Sequence, residues 1–192
     1  NMGAYLSSFG PGIATNSTPT AISGVYDIPN IFMGVTGAFT NTVPIDAYRG
    51  AGKPEANYIV ERLIEAAAQQ TGIDPVELRL RNAISAFPHT TSLGIEIDTG
   101  DFRGNIEQAV QLADRAGFEQ RRTASAAAGN LRGMGVTCFL ETARGANEEG
   151  AEVNFRPDGT IELRLGTESN GQGHETAFSQ IAADTFGLPL ET

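Results

Sequence analysis

The ten residues Asp46-Ala47-Tyr48-Arg49-Gly50-Ala51-Gly52-Lys53-Pro54-Glu55 constrain this chain more than any other stretch. They close an apolar, β-rich run and open a long amphipathic one, so the fold must convert a strand into a helix within them. Gly50 and Gly52 reach backbone angles closed to other residues and let a ligand come close to the main chain. Pro54 suits the first helical turn, where its missing N–H costs nothing. Arg49 sets one fixed positive charge in the bend, an arrangement that suits an anionic or polarised carbonyl ligand at a helix start. Spacing alone favours the plainer alternative, a strand-to-helix loop with a solvated arginine. The run is neither G-x-x-x-x-G-K-[ST] nor G-x-G-x-x-G.

Downstream, Ile59, Val60, Leu63, Ile64 and Ala67 recur at helical spacing and predict one apolar helix face, with Gly72 as the stop. Asp74-Pro75 predicts a second helix, Asp74 as N-cap and Pro75 in the first turn, with Val76, Leu78, Leu80 and Ala83 as its apolar positions. Asn105–Ala116 predicts a third, with Ile106, Ala109, Val110 and Ala113 inward, and the Arg79–Arg81 pair is expected to face a neighbouring domain. Strands are expected over Ala4–Phe9, Ile31–Asn41 and Leu131–Thr142, and residues 86–100 as a loop. Glu152–Phe155 and Thr160–Leu165 alternate apolar and polar residues around the turn Arg156-Pro157-Asp158-Gly159, which predicts a β-hairpin. A last helix carries Phe178, Ile181, Ala182 and Phe186 on one face.

That hairpin runs into a second glycine loop, Gly166-Thr167-Glu168-Ser169-Asn170-Gly171-Gln172-Gly173-His174-Glu175. Gly171 and Gly173 flank Gln172, whose amide offers donors and an acceptor together. The chain thus holds two strand–loop–helix junctions, one with a cation and one with an amide fork, a pair that suits a large, polar, phosphate-bearing cofactor.

Charge and cysteine usage narrow the class. The net charge of −10 and a pI near 4.6 argue against non-specific nucleic-acid binding. The lone Cys138 forbids an intrachain disulfide and fits a reducing, cytoplasmic compartment. One cysteine and two histidines do not make a four-ligand zinc site, so no protein-held metal is expected. No apolar run is long enough to span a membrane. Asp98, Asp101 and Glu96 lack EF-hand spacing and read as a solvated surface.

Read together, Gly24-Val25-Tyr26-Asp27-Ile28-Pro29, Phe39-Thr40-Asn41-Thr42-Val43-Pro44, Ala47–Gly52 with Pro54-Glu55, Arg79–Asn82 and Gly166–His174 resemble the molybdenum-binding large subunit of the xanthine oxidase family, which includes aldehyde oxidases and aerobic carbon monoxide dehydrogenases. The resemblance covers almost the whole chain, whereas the chain matches only a middle slice of such a subunit. It implies a molybdenum–molybdopterin cofactor, with or without an attached cytosine nucleotide, and hydroxylation of a small substrate with oxygen taken from water. Electrons would leave through 2Fe-2S centres and FAD on partner subunits or domains. It implies that Arg49 orients substrate and steadies developing negative charge, that Gln172 with Gly171 and Gly173 holds the pterin, that Gly50 and Gly52 let the cofactor approach, and that Glu141, in Phe139–Thr142, reaches the pocket wall. Two departures matter. Gly50-Ala51-Gly52 lacks the cysteine that holds copper in the carbon monoxide dehydrogenases proper. The family's glutamate base and an upstream cofactor loop fall outside these 192 residues, so the chain alone is expected to be inactive.

The expected fold is α+β, with a first lobe over 1–118, a linker over 119–130 (the alternative there being a helix continued through the alanines) and a second lobe over 131–192, exposing apolar surface that favours self-association. The competing reading is a non-enzymatic acidic binding or assembly module that uses the same loops.

Overall fold

The computed structural model describes residues 1–141 and 148–190. Mixed helices and small sheets form two compact units, Asn1–Thr142 and Ala143–Thr192. The division falls later than the expected linker. Residues 119–130 lie mostly in a helix, because Phe118 and the alanine run 126–128 favour helix over an open linker.

In the first unit, three short helical turns cover Gly10–Ala21. Helix α1 (Lys53–Thr71) begins at Gly52 and stops at Gly72, both with left-handed backbones. Its buried positions, Ala56, Val60, Glu61 and Ala68, follow one another at steps of four, one and seven residues and so share one stripe. The inward face is therefore rotated from the expected one: Val60 and Ile64 turn in, while Ile59 and Leu63 are exposed. Ala56 and Ala68 permit close approach, with Ala56 packing on Ala21 and Ile22. Helix α2 (Pro75–Asn82) is capped as expected, Asp74 accepting from the amides of Val76 at 2.9 Å and Glu77 at 3.1 Å. Strands β1 (His89–Thr90) and β2 (Glu96–Ile97) form a two-residue antiparallel ladder inside the expected loop.

Helix α3 (Phe102–Leu112) starts earlier than expected, because Asp101 caps it by accepting from the Gly104 amide. Phe102 and Ile106 are buried and Val110 packs on the core, while Ala109 and Ala113 are exposed. Helix α4 is Phe118–Ala127. The core gathers Val25, Tyr26, Val60, Val76, Ile84, Ile97, Phe102, Ile106 and Cys138.

Three predicted strands lack ladders among the described residues. Phe39 makes only a lone parallel bridge to Gly3, and Ala4–Phe9 and the rest of 31–41 have no strand pairing among the described residues. The 131–141 segment likewise has no partner strand there, yet its alternation survives as burial: Met134, Val136, Cys138 and Leu140 turn inward while their neighbours stay exposed. Thr142, the end of that predicted strand, lies outside the described residues.

The second unit is a hairpin and a helix. Strands β3 (Ala151–Phe155) and β4 (Ile161–Leu165) pair antiparallel in the register Ala151 opposite Leu165 to Phe155 opposite Ile161. The predicted turn closes them, the Arg156 amide donating to the Thr160 carbonyl and Gly159 taking a φ of +87°. Helix α5 (His174–Phe186) follows, and Phe155 meets Phe186 edge-on with ring centres 5.4 Å apart. On α5, Phe178 and Ala182 are half-buried, whereas Ile181 and Phe186, expected on the same face, are exposed.

Candidate functional site

The first glycine loop takes a left-handed backbone at two positions, and at one of them there is also no room for a side chain. Gly50 has φ +84° and Gly52 φ +88°. A β-carbon at Gly52 would lie 2.5 Å from Ser17 Cβ and 2.7 Å from the Thr18 nitrogen, so the loop is pressed onto the N-terminal helical turns. Backbone bonds close the bend: the Ala51 amide donates to Tyr48 O at 2.8 Å and the Lys53 amide to Gly50 O at 3.0 Å. Upstream, Gly3 and Gly10 let 43–45 lie against the N-terminal segment, where Ser7 Oγ donates to Ile45 O at 2.6 Å.

Arg49 is thereby exposed beside the N-terminus of α1. A cation there opposes the helix dipole, so this arginine is not placed to stabilise the helix. Glu55, in the first turn, has the favourable sign.

The structure brings Glu141 to the same loop. A β-carbon at Gly50 would meet Glu141 Oε2 at 3.6 Å, ordinary contact distance. A carboxylate and a guanidinium are thus carried by adjoining parts of one unit, although 92 positions separate 49 from 141 in the sequence.

The second loop, described by itself, has Gly171 at φ +90° and Gly173 at φ +73°, and a β-carbon at Gly173 would meet nothing within 4 Å. Gln172 is exposed and its Oε1 accepts from the Asn170 amide. That bond folds the loop on itself; α5 starts without a side-chain cap, so its first amides have no partner within the helix. His174 Nδ1 is buried with no hydrogen-bond partner among the described residues. His174 also lines a cavity of about 380 Å³ with Thr167, Ser169, Phe178 and Leu190. An open glycine approach, helix-start amides and an orphan imidazole nitrogen fit a polar, anionic group such as a pterin phosphate. Among the described residues, no cluster of three or more His, Cys, Asp or Glu side chains is arranged to hold a metal ion.

Sequence reasoning missed the polar cluster beneath the first loop. Glu61 and Arg79 are 4 % and 2 % exposed. Glu61 Oε2 accepts from Arg79 Nε at 2.8 Å and lies 2.7 Å from its NH2, and Glu61 Oε1 accepts from Tyr26 Oη at 2.5 Å and from the Cys138 amide at 3.3 Å. Arg79 also donates to Pro75 O at 2.9 Å. Arg79 is therefore a core residue and faces no neighbouring domain, while Arg81 pairs on the surface with Glu77. Burial alone would lower the Arg79 pKa, but the hydrogen bond and charge of Glu61 outweigh it and raise it. Burial, then the Glu61 hydrogen bond, pushes the Tyr26 phenol far above its ordinary value. Burial, then the Glu61 charge, raises the Cys138 thiol. The signal was present in the sequence: Glu61 follows Val60 and lies three positions before Ile64, on the inward stripe of the helix.

Comparison with known proteins agrees with this architecture. Residues 1–83 and 109–192 each match a model described as a molybdopterin cofactor-binding domain. The chain belongs to the molybdopterin-binding large-subunit family of the molybdenum hydroxylases. It is 33% identical over 187 residues to the nicotine 6-hydroxylase large subunit of Paenarthrobacter nicotinovorans, covering 91% of this chain and 22% of that one. It is also 33% identical over 187 residues to the carbon monoxide dehydrogenase large chain of Hydrogenophaga pseudoflava, covering 88% and 23%. The fold of quinoline 2-oxidoreductase from Pseudomonas putida 86 overlays all of this chain on 26% of its own, with a TM-score of 0.78 and 28% identity. The chain therefore spans about a quarter of the length of the relatives it matches.

Proposed function

We propose that this chain forms part of the cofactor and substrate site of a molybdenum hydroxylase, and that the full-length subunit oxidises a small aldehyde, N-heterocycle or related substrate by hydroxylation with water-derived oxygen. The observation that carries this reading is the meeting of the Arg49 loop with Glu141. Arg49 holds a substrate carbonyl or ring nitrogen by charge-assisted hydrogen bonds and steadies negative charge that develops on it. Glu141 lines the same pocket and accepts a hydrogen bond from substrate. Gly50 and Gly52 keep the loop free of side chains, and the Gly171-Gln172-Gly173 loop binds the pterin through its amides and the Gln172 fork. When bound, the molybdenum–pterin group, with or without a cytosine nucleotide, supplies the oxidising centre.

Electrons leave this subunit to 2Fe-2S and FAD partners, and the buried free thiol of Cys138 fits a cytoplasmic location. Nicotine and carbon monoxide, named in its relatives, mark a family with varied substrates, and Gly50-Ala51-Gly52 offers no cysteine for copper. A chain spanning a quarter of its relatives' length is not expected to turn over alone. The deciding experiment is Arg49→Ala in the full-length enzyme. Turnover should fall by about 100-fold or more with molybdenum and pterin retained, and unchanged turnover would remove Arg49 from the site. Native full-length protein devoid of molybdenum and pterin would instead favour the binding-module reading.

A further inference from the structure

Outside the glycine loops, the Glu61 cluster is a buried, hydrogen-bonded polar group in the first unit, and it touches the segment that carries Glu141. The extended stretch 131–141 has no partner strand among the described residues, and the bond from the Cys138 amide to Glu61 Oε1 ties its backbone to the helical core. Val136, Cys138 and Leu140 add apolar packing, but that packing fixes depth better than position along the segment. A buried carboxylate that accepts a main-chain N–H sets position along the chain as well.

Glu61 stands two turns along the helix whose N-terminus follows the Arg49 loop, and its acceptor holds the residue three positions before Glu141. Arg79 and Tyr26 clamp the carboxylate from α2 and from the 25–26 segment, so its position is set from two sides. We infer that Glu61 is a positioning residue: it fixes the 138–141 segment against α1 and so holds Glu141 over Gly50, beside Arg49. This rests on the proposed role of Glu141 in the substrate pocket. A purely structural ion pair would need only Arg79, yet one carboxylate oxygen is given to Tyr26 and to the Cys138 amide.

The test uses the full-length subunit. Glu61→Met with Arg79→Met removes the pair without stranding a buried charge, a replacement that cores tolerate, and it deprives the Cys138 amide of its acceptor. Glu61→Asp keeps the counter-charge but draws it back from the amide, and serves if the double variant does not fold. Tyr26→Phe is the control, since it leaves the amide its acceptor. In both Glu61 variants, hydrogen exchange should accelerate in peptides covering 134–141 while those of α1 and α2 keep their protection. Turnover per bound molybdenum should fall roughly ten- to a hundredfold. Tyr26→Phe, which loosens one clamp but leaves the Cys138 amide its acceptor, should change both readings less than either Glu61 variant. In a Glu141→Gln background the Glu61 changes should add no further loss. Unaltered exchange over 134–141 would overturn the inference, as would a loss fully additive with Glu141→Gln. If Glu141→Gln alone is silent, Glu141 leaves the proposed site, and the exchange result still decides whether Glu61 holds the segment.

Discussion

A single β-carbon separates two glycines that look alike in the sequence. Gly50 and Gly52 share a left-handed backbone, which costs any other residue about 1–2 kcal/mol. At Gly50 the added carbon would touch only the Glu141 carboxylate, at 3.6 Å. At Gly52 it would collide with Ser17 and with the backbone of Thr18, neither of which can swing away. Overpacking of that kind adds about 1–3 kcal/mol. Gly52→Ala should therefore destabilise by about 3 kcal/mol and Gly50→Ala by about half of that or less, measured by denaturant unfolding. Gly50→Ala should instead be felt in turnover, because it places a methyl group against the Glu141 carboxylate. Equal stability losses at the two positions would show that the press of the loop on Ser17 is not what holds it.

At the scale of elements, legibility followed how local the signal was. Helix α2 was readable to its cap because Asp74-Pro75 acts within one turn, and the hairpin because Pro157-Asp158-Gly159 specifies its own bend. The face of α1 was not readable: Ile59 and Leu63 sit at good helical spacing, but Ala56, Ala68 and a buried Glu61 decide which side turns in. The Leu131–Leu140 alternation was read correctly as period two, yet a ladder needs a partner strand, and periodicity does not supply one. The meeting of Gly50 with Glu141 is tertiary and had no local signature; Glu141 entered only through family resemblance.

Asp74 gives this scale its prediction. Its carboxylate caps α2 and also takes a 2.5 Å bond from Arg115. Burial would raise its pKa, but the Arg115 bond and the two helix amides outweigh that and lower it. Asp74→Ala should cost about 1 kcal/mol. Because the folded-state pKa is depressed, the cap's contribution is complete above the ordinary value of 3.8 and is lost as pH falls below it. The difference between wild type and Asp74→Ala in thermal unfolding should therefore be constant near neutrality and shrink in acid. A difference that grew on acidification would refute the assignment.

For the whole molecule, charge and apolar exposure act against each other. Acidic residues outnumber basic ones by 23 to 13, giving a net charge of −10 that keeps copies apart. Yet Phe32, Val43 and Tyr48 of the first unit stand 97%, 84% and 86% exposed, and Phe39 and Leu131 are exposed with them. Side chains of this size on a surface invite association. No helix among the described residues is long and apolar enough to cross a membrane, so a bilayer-spanning helix is not what these side chains serve. The balance between the two forces is set by screening. At low ionic strength repulsion extends over about 30 Å at 0.01 M salt, and at 1 M it contracts to about 3 Å, while burial of apolar surface is undiminished. The isolated 192-residue chain should thus self-associate in a concentration-dependent manner, more strongly as salt rises, in sedimentation velocity runs. Phe32→Ser with Val43→Ser should weaken that association without lowering the melting temperature, since neither side chain is buried. A chain that stayed monomeric across the salt range, or that dissociated as salt increased, would show that charge pairing and not apolar exposure governs contacts between copies.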